Sequence, residues 1–114
     1  MDELADTVNL LSQHARAYQL EERAIDGCAL FIRNEESESG LPGSLRSSEV
    51  EAKLRSHALI FENSLLGYPC ITTQLDLLAR GEQVGFYKLI TDLHGQVIDD
   101  YLAFEGFEAD EASG

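Results

Sequence analysis

The sequence predicts an α+β domain, with one N-terminal helix packed on a four- to five-stranded antiparallel meander sheet. Three observations predict it. Apolar residues near the N-terminus recur at helical spacing. Two tight-turn signatures punctuate the C-terminal third, with alternating apolar segments around them. The chain length of 114 residues suits one hydrophobic core.

Leu4, Val8, Leu11, Ala15 and Tyr18 recur at steps of four and three, which places them on one face of a helix. Asp2, Glu3 and Asp6 fall in its first turn, where the helix dipole favours negative charge. The helix is expected from about residue 2 to somewhere between 18 and 25, with Asp26-Gly27 as the stop. Residues 28–32 (Cys-Ala-Leu-Phe-Ile) form a short apolar run without helical period and read as a buried strand. Residues 34–48 are rich in Glu, Ser and Gly and read as a loop. Residues 49–61 admit two readings. Ser48 and Glu51 offer a helix capping box, whereas Val50, Ala52, Leu54, Ser56, Ala58 and Ile60 alternate with polar residues. One long strand is the reading taken.

Residues 91–96 (Thr-Asp-Leu-His-Gly-Gln) have the chemistry of a hairpin with a type I turn and Gly95 in the left-handed region. Ala79-Arg80-Gly81-Glu82 reads as a similar tight turn. Together they predict strands near 70–78, 83–92 and 96–105 and set their pairing. One face then carries the rows Leu77–Val84–Phe104, Leu75–Phe86–Leu102, Thr73–Lys88–Asp100 and Ile71–Ile90–Ile98, and is expected to be the core side under the helix. The other face carries Thr72–Leu89–Asp99, Gln74–Tyr87–Tyr101 and Asp76–Gly85–Ala103. The domain is expected over residues 1–107, with 108–114 as an acidic flexible tail.

Composition bounds the function classes. Hydrophobic residues make up 44%, too many for a disordered chain. Eight basic residues against 21 acidic ones give a net charge of −13, a field that repels nucleic acid and anionic lipid and attracts basic partners. No apolar run reaches membrane-spanning length, and the acidic N-terminus lacks the features of a secretory signal, so a cytoplasmic protein is expected. Cys28 and Cys70, without CxxC spacing, then read as reduced core thiols. His14, His57 and His94 occur singly, and the run Glu35-Glu36-Ser37-Glu38 lacks the pattern of a calcium loop, so neither a metal nor another cofactor is expected. No nucleophile elbow, phosphate loop or catalytic dyad is recognisable, and no catalytic residue is assigned.

Two constellations stand out. Tyr87 and Tyr101, flanked by Asp76, Asp99 and Leu89, would form an amphipathic patch suited to a basic partner, or simply a stabilising exposed pair. Thr73, Lys88 and Asp100 would place a charged row on the core face. That row is either a pocket floor for a small molecule or a structural ion pair. Residues 63–70 would connect two strands and could lid such a pocket. The leading expectation is a non-enzymatic acidic interaction protein, of inhibitor, immunity or adaptor type, that binds a basic macromolecule. The alternatives are a small-molecule binder or enzyme built around Lys88, and a structural homo-oligomer; long edge strands also make a homodimer plausible.

Overall fold

The computed structural model of the chain describes residues 3–60 and 69–105. It is an α+β fold: two helices, α1 (Glu3–Ala17) and α2 (Leu20–Glu38), lead through short 3₁₀ turns at Pro42–Ser44 and Ser47–Glu49 into a four-stranded sheet. The strands β1 (Glu51–Ile60), β2 (Cys70–Ala79), β3 (Glu82–Thr91) and β4 (Val97–Phe104) lie in sequence order, all antiparallel. Among the described residues no helix is long and apolar enough to cross a membrane. The expected connection at 63–70 lies almost wholly outside the described residues, and the expected tail at 108–114 does so entirely.

The helical part differs from expectation in three ways. The first helix ends at Ala17, where Gln19 takes a left-handed φ of 52°, and a second helix starts at once. Asp26-Gly27 therefore does not stop a helix but lies inside one. Residues 28–32 are helical, not a strand: Leu20, Ala24, Cys28 and Ile32 recur every four residues as the buried stripe of α2. Each fully buried Leu or Ile contributes roughly 1.5–3 kcal/mol, so this stripe rather than intrinsic propensity holds α2 in place.

It is α2 that packs across the middle of the sheet, on Leu75, Leu77, Tyr87 and Leu89. The expected helix, α1, joins only one end, through Ala15 and Leu11 against Leu20, Ile71 and Leu59. The loop after α2 is part of the core, with Leu41 and Leu45 buried. Glu36 fastens it by accepting hydrogen bonds from the Ser47 amide and hydroxyl at 2.8 and 2.9 Å. Those bonds hold the Glu36 carboxyl below its usual range. At residues 49–61 the strand reading holds, and Glu49 instead accepts from the Arg46 amide and from Arg80 at the β2–β3 turn.

Both hairpin turns form where expected. Gly95 has a φ of 80°, and the Asp92 carboxylate accepts from the His94 and Gln96 amides. Arg80 and Gly81 both have positive φ, the signature of a two-residue type I′ turn rather than type I.

The expected rows nevertheless do not form, because each hairpin carries a bulge just past its turn. Leu78 pairs with Gln83 but Leu77 with Gly85, leaving Val84 as an extra residue. Thr91 pairs with Val97 but Ile90 with Asp99, leaving Ile98 extra. A one-residue slip exchanges the two faces of a strand. So β3 is inverted relative to the expected register: Tyr87, Leu89 and Thr91 are buried on the face that the helices cover, while Phe86, Lys88 and Ile90 lie on the opposite face. The observed core rows are Leu75–Tyr87–Leu102 and Thr73–Leu89–Asp100. A third bulge, at Arg55 in β1, turns His57 inward to share a 2.9 Å hydrogen bond with the Thr73 hydroxyl.

Candidate functional site

The inversion of β3 divides both expected constellations. Tyr87 is fully buried and Leu89 nearly so, whereas Asp76, Asp99 and Tyr101 remain on the outer face. Tyr101 therefore neighbours Lys88 and stacks on Phe86 at 5.9 Å, not on Tyr87. That face is not acidic in balance: Lys53, Arg55 and Lys88 offset Glu51, Asp76 and Asp99, and Arg55 bridges Asp76 at 3.1 Å. The Thr73–Lys88–Asp100 row does not assemble either. Thr73 is buried on the helix-covered face beside His57, Asp100 faces the α2 side of β4, and Lys88 lies on the opposite face over the Phe86 ring.

What the fold does assemble is a groove between α2 and β4. Gly27, Leu30, Phe31, Asn34, Glu35 and Glu38 fall at helical spacing on one side of α2 and face Asp100 across a cavity of about 340 Å³. Phe31 and Glu35 continue into a second cavity of about 390 Å³, closed by Leu41, Pro42, Leu102 and Phe104. The groove combines apolar walls with three carboxylates, and no described Lys, Arg or His lines it.

Its floor is held from below. The Tyr87 hydroxyl donates to Asp100 Oδ2 at 2.8 Å, which fixes the carboxylate at the groove edge. Burial and this bond both push the tyrosine pKa up, so the phenol stays a donor at any physiological pH. The hydroxyl fits because Gly27 has no side chain: a Cβ there would lie 2.6 Å from the Tyr87 oxygen. Phe31 packs edge-on against the same ring at 6.5 Å. Beneath it, burial and the nearby Asp100 charge push the Cys28 thiol up to about 12, which keeps it protonated and unreactive.

On the other side of α2 a larger cleft of about 420 Å³ runs between Ile25, Ile32 and Arg33 and the 47–52 segment. A smaller one of about 200 Å³ holds His57 with Ser12, Arg16, Glu21 and Glu22. The His57 pKa is lowered by burial, partly offset by Glu21. Among the described residues no cluster of His, Cys, Asp and Glu is arranged to hold a metal ion.

The groove residues of α2 were hidden by reading 28–32 as a strand. The signal that finds them is the spacing of Gly27, Leu30, Phe31, Asn34, Glu35 and Glu38, which fits one helix face once a helix is allowed to run through Gly27. No family model, curated protein or solved structure matches this chain.

Proposed function

We propose that the protein is a non-enzymatic interaction module that holds a basic macromolecular partner in the α2–β4 groove. One observation carries this reading: Glu35, Glu38 and Asp100 converge beside exposed apolar surface with no described basic side chain among them. Leu30, at 54% exposure, supplies apolar area next to those charges. Such a surface gains affinity from burying Leu30 and Phe31, and on-rate and selectivity from its charge. The net charge of −13 adds long-range attraction for a cationic protein.

The test is affinity chromatography across a salt series with the wild-type chain, Glu35→Gln/Glu38→Gln, and Asp76→Asn as a control on the outer face. A basic protein retained at low salt by the wild type and the control, but lost from the groove variant, supports the reading. Retention indifferent to the groove substitutions sinks it.

The outer sheet face supports a second reading. Tyr101 is 54% exposed and lies beside Phe86, Lys88 and Asp99. A partner there would meet mixed charge and an aromatic pair, and its binding would fall on Tyr101→Ala while tolerating Glu35→Gln/Glu38→Gln.

A further inference from the structure

We infer that the partner docks as an extended segment that adds a strand to the free edge of β4, an inference that rests on the α2–β4 groove being the docking site. The sheet ends at β4, so one side of that strand has no neighbour among the described residues. Which backbone groups face that side follows from two hydrogen bonds. The Glu105 amide donates to the Val84 carbonyl at 2.7 Å, so Glu105, Ala103, Tyr101 and Asp99 turn their backbone groups toward β3. The Asp100 amide instead donates to the Asp99 side chain at 2.8 Å, in keeping with an amide that points away from β3. Asp100, Leu102 and Phe104 therefore present their backbone groups to the open edge.

The same three residues are those whose side chains lie in the groove. In an antiparallel pairing, partner residues bonded to them would send their own side chains to the same face, above Leu30, Phe31 and Glu35. The groove thus specifies an alternating segment: apolar residues opposite Phe104 and Leu102, then a cationic residue opposite Asp100, with any residue between. Backbone bonds supply affinity and the alternate side chains supply selectivity.

A second copy of this chain does not fit the edge. Asp99 and Asp100 lie at the middle of β4, so an isologous β4–β4 pairing would bring like charges together between two strongly acidic chains. The Asp99 bond to the Asp100 amide satisfies one edge donor in the free protein, a guard that an incoming carbonyl replaces.

The test uses the full chain and a synthetic peptide in which Val, Val and Arg alternate with Thr, titrated by fluorescence anisotropy. N-methylation of the Val and Arg residues removes the donors aimed at β4 and should weaken binding by about tenfold per bond, whereas N-methylation of the Thr residues should not. On the protein side, Leu102→Pro deletes an amide that β3 does not use, a position where an edge strand tolerates proline. It should weaken peptide binding by about tenfold beyond Leu102→Ala, which loses the groove contact alone, with the circular dichroism spectrum retained; if the proline variant does not fold, the N-methyl series decides alone. Equal loss from both methylation patterns overturns strand addition, and if binding still falls with Glu35→Gln/Glu38→Gln the groove reading survives. A peptide that fails to bind at low salt overturns strand addition too, leaving the groove to be judged by the chromatography.

Discussion

The Tyr87 hydroxyl occupies the space where a side chain on Gly27 would begin, 2.6 Å from the position of its Cβ. Helix α2 can cross β3 closely only because that position is glycine. The contact also sets the height at which Tyr87 meets Asp100.

Gly27→Ala has two opposed effects. Alanine favours a helix interior by about 1 kcal/mol, while overpacking a core costs about 1–3 kcal/mol. The ring is fully buried and cannot swing aside, so the net effect is destabilising by about 1–2 kcal/mol. In a Tyr87→Phe background the oxygen is gone and the next nearest atom is 3.6 Å away, so the same substitution should become neutral or stabilising. Urea denaturation of the four proteins as a double-mutant cycle checks the change of sign.

Gly85 meets backbone rather than a side chain. A Cβ there would collide with the Ala103 carbonyl oxygen and lie 2.9 Å from Phe104 Cα. Gly85→Ala should therefore separate β3 from β4, costing about 3 kcal/mol or more. Hydrogen exchange of the Glu105 amide, bonded to Val84 in the native sheet, should accelerate more than that of amides in β2.

His57 predicts a pH dependence. Burial, its larger influence, lowers the pKa below 6.5, and Glu21 opposes this. A depressed folded-state pKa means that the unfolded chain binds the proton more readily. Its contribution to stability is complete above about 6.5 and is lost as pH falls through the lower folded value. His57→Asn keeps a partner for Thr73 but cannot titrate, so it should flatten the decline of Tm that begins as pH falls below about 6.5. Glu36, Glu49 and Asp92, also lowered, lose their contributions as pH falls from the ordinary carboxylate range through their lower folded values, and that limb should persist in the variant.

Leu45 tests whether the segment after α2 belongs to the core. It is 4% exposed despite lying between two 3₁₀ turns. Leu45→Ala should cost about 2–4 kcal/mol, as for a core leucine, whereas an ordinary surface loop position would change by less than about 0.5 kcal/mol. Thermal or urea unfolding separates the two outcomes.

All four strands were legible in the sequence, because alternation and turn chemistry act locally. The turns were legible too, and the pairing next to each of them follows from the turn residues: Ala79 with Glu82, and Thr91 with Val97. Bulges hid the rest, since nothing in a strict alternation marks an extra residue. Gly85 was the available sign, as an isolated glycine within a strand often accompanies a bulge or a close backbone approach. Beside Ile98 there is no such mark. Helix α2 was hidden by the assumption that five consecutive apolar residues are all buried. Leu30 is 54% exposed, and the run spans both the core stripe and the groove wall. Tyr87, Lys88 and Asp100 were singled out for proximity that depended on register, so their true relationships emerged only with the fold.

The two bulges act on one strand from both sides. Val84 lies between β3 and the register of its first turn, and Ile98 between β3 and the register of its second. Both faces of β3 are apolar enough to line an interior: Phe86 and Ile90 on one, Tyr87 and Leu89 on the other. If the same chain paired Val84 and Ile98 as ordinary ladder residues, it would keep its turns and its outer strands but present β3 upside down, drawing the Lys88 ammonium under the helix. Leaving those two residues out of the ladder is thus what keeps that charge in water.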